Sequence, residues 1–394
     1  MAFMEKNNLL TLIVSLIISL IILEIGLRNF TPYPSYRVEH EKLGFVMNPN
    51  ISEIDENGFR NKKLTSVDIV ALGDSHTYGY NVSSDNSWPK LLGRKLKKNV
   101  YNFGVGGYGI LQYQYLLSKA IELNPKVILL GLYLANDLND ICTLVSSNKY
   151  WESRAKEFHI NSSVCSEIKP NSALGTYAHK KSNISIGKWL KENSAIISIV
   201  SKYYDRFSTH KRINVRGLNA INKTEKVGAT NAEVINDGKI KTMIAFGRIK
   251  VNKECMDMNS PHIQMGYEVL KEFMLEAREK TELNNIHFGV LFIPSKARVF
   301  YEYLKQRDHC LPEEYEDLKN NEDELKVMTS VFLENIGIPF IDVLPDMENA
   351  LLKHGDIYPA WENGHPILIG YEVYAENAFN LYQQIISYTG SNEN

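Results

Sequence analysis

The sequence Gly73-Asp74-Ser75-His76-Thr77-Tyr78-Gly79 places a serine directly after an apolar run, Asp68–Leu72. In an open α/β sheet, ligands bind outside the carboxyl ends of the strands, so Ser75 occupies a favoured position for a nucleophile. A serine there is also a good helix cap. A serine nucleophile needs a base, and Glu362-Asn363-Gly364-His365-Pro366 offers an imidazole just before the C-terminal helical segment. Glu362, three residues before His365, could orient the ring through its other nitrogen. A lone loop histidine is otherwise an ordinary surface residue. An acyl-transfer site also needs donors for an oxyanion. The glycine turn Gly104-Val105-Gly106-Gly107-Tyr108-Gly109 exposes backbone N–H groups, and Asn136, in Leu134-Ala135-Asn136-Asp137, carries a side-chain amide. Asn-Asp alone is common turn chemistry. The glycine turn also spells GxGxxG, the dinucleotide fingerprint. It does not follow the first strand, and no acid stands about 20 residues on at the next strand end, so that reading is set aside.

The elements that must position these residues read as strand–helix alternation. Strand candidates are Asp68–Leu72, Asn99–Phe103, Val127–Tyr133, His287–Phe292 and Pro339–Val343, each a short apolar run bounded by turn residues. Helical stretches are Trp88–Lys97, Ile110–Leu123, Gly266–Thr281, Pro312–Glu334 and Ile367–Tyr388. The pattern predicts an α/β fold: a doubly wound, flavodoxin-like parallel sheet of five strands with flanking helices. A large insertion, about residues 145–260, follows the third strand. Within it, residues 149–257 hold 20 Lys/Arg against 10 Asp/Glu. Trp189, Leu190, Ile196, Ile197, Val200, Tyr204 and Phe207 suggest one amphipathic helix there. The basic excess reads as a solvated surface or as attraction to an anionic glycan or headgroup layer.

Over all 394 residues, 44% are hydrophobic, 23% are charged and the net charge is −2. This composition excludes a nucleic-acid binder that works by bulk positive charge, and a disordered, collagen-like or disulfide-dense chain. The four cysteines form no CxxC pair and no metal-ligand spacing, no HExxH occurs, and no metal or cofactor is expected. The cysteines allow up to two disulfides. The uncharged run Leu9–Leu23 predicts an uncleaved transmembrane signal anchor over residues 8–28, with a cleaved signal peptide as the competing reading. Residues 29–62, with Pro32, Pro34 and Pro49, read as a linker with one short strand near Gly58-Phe59-Arg60, and residues 63–390 as the catalytic domain.

Together the four blocks resemble the SGNH (GDSL-like) hydrolase superfamily. The resemblance implies Ser75 as nucleophile and His365 as base, with an oxyanion hole of Ser75 N–H, Gly107 and Asn136. Two departures stand out: Glu362 occupies the position usually held by aspartate, and Leu134 that of a glycine before the asparagine. The N-terminal run, the segment Ile293-Pro294-Ser295-Lys296 and the insertion also resemble membrane-anchored bacterial members that act on O-acyl groups of extracytoplasmic polysaccharides. The resemblance therefore implies a single-pass protein of the cell membrane with an extracytoplasmic esterase or O-acyltransferase domain. Its partners would be an acylated glycan or small ester, the membrane and cell-envelope polysaccharide machinery, with no nucleic acid. A catalytically inactive, membrane-tethered glycan-binding protein is the alternative.

Overall fold

The computed structural model describes residues 11, 14–16, 18–26, 36–166, 232–236, 240–307, 311, 313–360 and 363–390. The chain divides into two compact units. In the first, Met1–Ser35 with His179–Ala220, only residues 11, 14–16 and 18–26 are described, and they are helical. The transmembrane helix expected over residues 8–28 is not found: among the described residues no helix is long and apolar enough to cross a membrane. Several residues of that stretch lie outside the described ones, as does the amphipathic helix expected over Trp189 to Phe207.

The second unit, Tyr36–Ala178 with Ile221–Asn394, carries the predicted α/β architecture. Two short strands, β1 (Arg37–His40) and β2 (Gly44–Met47), pair antiparallel. Five strands then form the main sheet: β3 (Ile69–Gly73), β4 (Val100–Asn102), β5 (Val127–Leu132), β8 (His287–Phe292) and β9 (Phe340–Asp342). Their order is β4-β3-β5-β8-β9, parallel throughout. A second antiparallel pair, β6 (Ala232–Asn236) with β7 (Lys241–Ala245), belongs to the insertion.

Parallel strands covered on both faces read as continuous apolar runs, and β5 is buried along its whole length. Each fully buried aliphatic side chain contributes about 1.5–3 kcal/mol. Helices Trp88–Leu96, Leu344–His354 and Leu368–Gly390 pack together as one group, and Ile110–Glu122, Asp137–Ser147 and Pro261–Leu283 as another. Helix Glu313–Asn335 packs on Lys296–Lys305 and on Phe246–Glu254. The helices Lys296–Lys305 and Leu344–His354 were not expected from the sequence pattern. The first starts where Ser295 Oγ accepts from the Arg298 N–H, and the second where Asp342 Oδ1 accepts from the Leu344 N–H. The first is a side-chain cap of a helix start, whereas in the second Asp342 bonds two residues on from just ahead of the cap position, Val343, which makes no side-chain cap bond.

The segment read as linker is built into this unit from Tyr36 onward. Tyr108 donates its hydroxyl to Phe45 O, Arg37 Nη2 donates to Gly106 O, and Asn61 Nδ2 donates to Asn102 O. Polar side chains make these ties, which is why an apolar-periodicity reading passed over them.

Candidate active site

Strand β3 turns straight into a single helical turn, Ser75–Tyr78. Its cap is Asp74, whose Oδ1 accepts from the His76 N–H at 2.8 Å. Ser75 is thus the first helical residue rather than the cap. Its hydroxyl lies 2.7 Å from His365 Nε2. Nδ1 of the same ring lies 2.9 Å from Asn363 Oδ1. An amide oxygen only accepts, so Nδ1 carries the proton and Nε2 is the acceptor facing the serine. Asn363 Oδ1 also accepts from the His365 N–H at 2.8 Å and from Asn81 Nδ2 at 3.2 Å. Asn81 Nδ2 reaches His365 O at 2.9 Å as well. Glu362, assigned the orienting role from sequence, lies outside the described residues.

The ring is also held by its faces. Tyr80 stacks on it at 5.0 Å between centroids and 29° between planes. His76 lies at 4.7 Å, itself packed on Tyr133 at 4.3 Å. His76 is fully buried, and burial, followed by repulsion from His365, holds it well below the usual histidine range. It stays neutral beside the imidazole that must gain a proton. Asp74, also fully buried, is pushed up to about 6 by burial, offset by the His76 N–H and the Ser75 hydroxyl. Asp74 Oδ2 is 3.0 Å from Ser75 Oγ, so it competes with His365 for one hydroxyl proton, and the histidine contact is the shorter.

The glycine turn packs against these residues. A methyl on Gly104 would lie 2.3 Å from Tyr78 N and 2.5 Å from Thr77 C, so only glycine lets this turn approach the turn that carries Ser75. A methyl on Gly106 would lie 2.7 Å from the Tyr80 ring. Gly107 has a positive φ of 90°. Protein atoms thus occupy the spaces beside Gly104 and Gly106, unlike a dinucleotide fingerprint, where the bare glycines admit the pyrophosphate.

Asn136 caps the helix Asp137–Ser147 at the end of β5. Its Nδ2 donates to Asp140 Oδ2 at 2.9 Å. Its Oδ1 is buried without a hydrogen-bond partner among the described residues. Asp137 accepts from Tyr113 OH at 3.0 Å and from the Tyr133 N–H at 2.9 Å. Burial pushes Asp137 and Asp140 well above the carboxylate range. Among the described residues no group of three or more His, Cys, Asp or Glu is arranged to hold a metal ion. Leu134 is buried and shares a small cavity with Pro294, Arg298 and Glu322.

After β8, Ser295 and Lys296 serve the same neighbourhood. Lys296 is buried, with Nζ 3.4 Å from both Pro359 O and Asn363 O, on the loop that carries His365. Thr242, from the insertion hairpin, donates to Pro359 O at 2.9 Å. The structure brings the expected Ser75 and His365 together and sets beside them Asn363, Asn81, Tyr80 and Lys296, which were not expected as site residues. Asn363 had a signal, being an acceptor two residues before the histidine. Asn81 had none that spacing could show.

A serine hydroxyl bonded to an imidazole whose far nitrogen is fixed is the arrangement that activates serine for attack on a carbonyl. A family profile described as GDSL-like Lipase/Acylhydrolase matches residues 69–366. The chain belongs to this family. Membership implies ester hydrolase activity. No curated protein matches the chain. Solved structures similar to it include the acetyl xylan esterase AlAXEase, at 11% identity and TM-score 0.35, covering 80% of this chain and 98% of that one. A member of the lipolytic protein G-D-S-L family from Veillonella parvula matches at 10% identity and TM-score 0.36, covering 81% and 99%. A GDSL-like lipase from Bacteroides thetaiotaomicron matches at 9% identity and TM-score 0.34, covering 80% and 87%.

Proposed function

We propose that this family member uses Ser75 and His365 to remove or transfer O-acyl groups on a glycan, by way of an acyl-enzyme. The observation that carries the reading is the 2.7 Å contact between Ser75 Oγ and His365 Nε2, with Asn363 on the opposite nitrogen. As Ser75 attacks the ester carbonyl, its proton passes to Nε2. The imidazolium that forms keeps its Nδ1–H on Asn363 Oδ1. The carbonyl oxygen becomes an oxyanion, for which the N–H groups of Ser75 and Gly107 and the Asn136 amide are the donors. Asn136 Nδ2 has two hydrogens, and Asp140 takes one of them. His365 then protonates the departing alcohol, and the acyl group stays on Ser75 Oγ. Water resolves the acyl-enzyme in an esterase and a sugar hydroxyl does so in an acyltransferase, with His365 taking the proton of the attacking group.

An extracytoplasmic location belongs to the same proposal. Cys142 and Cys165 form a disulfide, and such bonds persist in oxidising compartments. The apolar run Leu9–Leu23 is the segment that would tether the chain to a membrane.

The test is labelling with a fluorophosphonate probe beside hydrolysis of p-nitrophenyl acetate. Wild type is expected to form a covalent adduct and to turn over the ester, and Ser75→Ala to do neither. An adduct mapped to a different residue removes the nucleophile assignment. A folded wild type that neither labels nor hydrolyses leaves the glycan-binding alternative.

A further inference from the structure

Beside the Ser75–His365 pair lies a cleft of about 370 Å³ that the reaction outlined above does not use. One wall comes from the segment before the sheet, with Tyr36, Ser52 and Glu53. The other comes from residues 78–82, immediately after the turn that carries Ser75. Its volume lies within the usual range for a small-ligand site.

The cleft adjoins the reacting groups through two residues. Tyr80, on its wall, is the ring stacked on His365. Asn81, also on its wall, holds His365 O and Asn363 Oδ1. A group bound here therefore sits one side chain away from the imidazole that must protonate a leaving alcohol.

The walls are fixed in advance. Arg60 is buried and donates to Gly79 O at 2.9 Å and to Val82 O at 3.0 Å, while its Nε reaches Glu53 Oε2 at 2.9 Å. One guanidinium thus straps both walls together. Tyr36 and Tyr78 share a hydroxyl–hydroxyl hydrogen bond of 3.0 Å. A site with preset walls binds at lower ordering cost.

The chemistry of the lining identifies the occupant. Tyr36 and Tyr80 offer aromatic surface edged with hydroxyls, and Ser52, Glu53 and Asn81 are exposed hydrogen-bonding groups. Only Ile51 and Val82 are aliphatic, so the cleft is ill-suited to an acyl chain. A sugar ring has what such walls complement: C–H faces for aromatic rings and a rim of hydroxyls for polar side chains.

We infer that this cleft is the subsite for the saccharide half of the ester, placing a pyranose ring against Tyr36 and Tyr80, one side chain away from His365. The inference rests on the proposed ester chemistry and goes further in locating the glycan.

The test compares full-length wild type with Tyr36→Ala and Tyr36→Phe. The substrates are p-nitrophenyl acetate, p-nitrophenyl octanoate and O-acetylated cellobiose, maltose and chitobiose. Tyr36→Ala is expected to lower kcat/KM for at least one acetylated disaccharide about tenfold more than for p-nitrophenyl acetate, through KM. Tyr36→Phe keeps the ring and should recover most of that loss. If all disaccharides and p-nitrophenyl acetate fall alike, or none changes, the subsite is refuted. A selective loss on the octanoate refutes it in favour of an acyl-chain site. Wild type inactive on every ester is a failure of the ester reading itself. In that case calorimetry with the unacetylated disaccharides, in wild type and Tyr36→Ala, decides the cleft separately: binding lost with Tyr36 upholds it, and no binding rejects it.

Discussion

His365 is contacted at both nitrogens and by two neighbouring rings, Tyr80 and His76, and only part of that was visible in the residue pattern. Ser75 and His365 stand out by their company rather than by type, since alone each reads as a helix cap or a surface group, and the structure brings the two within 2.7 Å. The orienting acceptor was sought three residues before the histidine, where a carboxylate is usual. Here Asn363, two residues before it, makes the contact. Asn81 supports Asn363 from a left-handed backbone conformation, φ 68°, which asparagine tolerates and which no spacing rule reveals. An amide acceptor fixes the tautomer but adds no negative charge to steady the imidazolium. Asn363→Ala is therefore expected to lower kcat by about 10²-fold, the low end of what a positioned general base supplies, with little change in KM. Asn363→Asp retains an acceptor at that place and should restore most of the rate. Steady-state kinetics on p-nitrophenyl acetate check this. A kcat for Asn363→Ala within about threefold of wild type would mean that the ring is oriented by something else.

At the scale of elements, the sheet was legible because its central strands β3, β5 and β8 are buried almost throughout and so appear as apolar runs, while the edge strand β9 is only half-buried. All five fall within a few residues of their expected limits. The layer formed by residues 36–62 was not legible. Arg37, Asn61 and the Tyr108 hydroxyl tie it down by polar contacts, which have no period, and its buried apolar residues Leu43, Met47, Ile54 and Phe59 are too irregularly spaced to show one. The glycine turn after β4 shows how one motif can carry two meanings. As a string it suggests phosphate binding, yet in the fold Gly104 admits the backbone of Thr77 and Tyr78. A methyl 2.3 Å from a backbone nitrogen cannot be relieved by rotating a side chain, so Gly104→Ala must displace the turn that carries Ser75. The expected result is a destabilisation of about 1–3 kcal/mol, as for other overpacked sites. A fall in kcat/KM of at least about tenfold should accompany it, because a shift of about 1 Å at a reacting group costs more than that. Urea denaturation and ester kinetics on the same preparation test both parts. Wild-type stability and turnover in Gly104→Ala would show that the turn relaxes without moving Ser75.

Taken as a whole, the folded unit buries carboxyl groups at several points of its core, and this sets how its stability responds to pH. Asp74, Asp137, Asp140 and Glu322 are fully buried, and burial raises each above the ordinary carboxylate range. Glu322 is pushed up to about 7 by burial, with Ser295 and Arg298 opposing the rise and Asp323 adding to it. Ser295 donates its N–H to Oε1 at 2.8 Å, and the Ser295 hydroxyl lies 2.6 Å from Oε2. A carboxyl whose folded pKa exceeds its unfolded value binds its proton more tightly when folded. Its stabilising contribution is complete at low pH and disappears as pH rises through the folded value. His76 works the other way, since it is buried neutral and charging it would destabilise the fold, but only as pH falls below about 6.5. Lys90, which burial brings down to about 8, changes stability mainly above that value. The window from pH 6.5 to 8 is therefore governed by the carboxyls, and across it Glu322 alone accounts for a loss of about 1 kcal/mol. Wild type should have a higher urea midpoint at pH 6.5 than at pH 8. Glu322→Gln, which keeps the shape but cannot ionise, should lose about 1 kcal/mol less over the same interval. Equal pH slopes in the two proteins would show that Glu322 does not exchange its proton within this window, and the dependence would then have to come from the three aspartates.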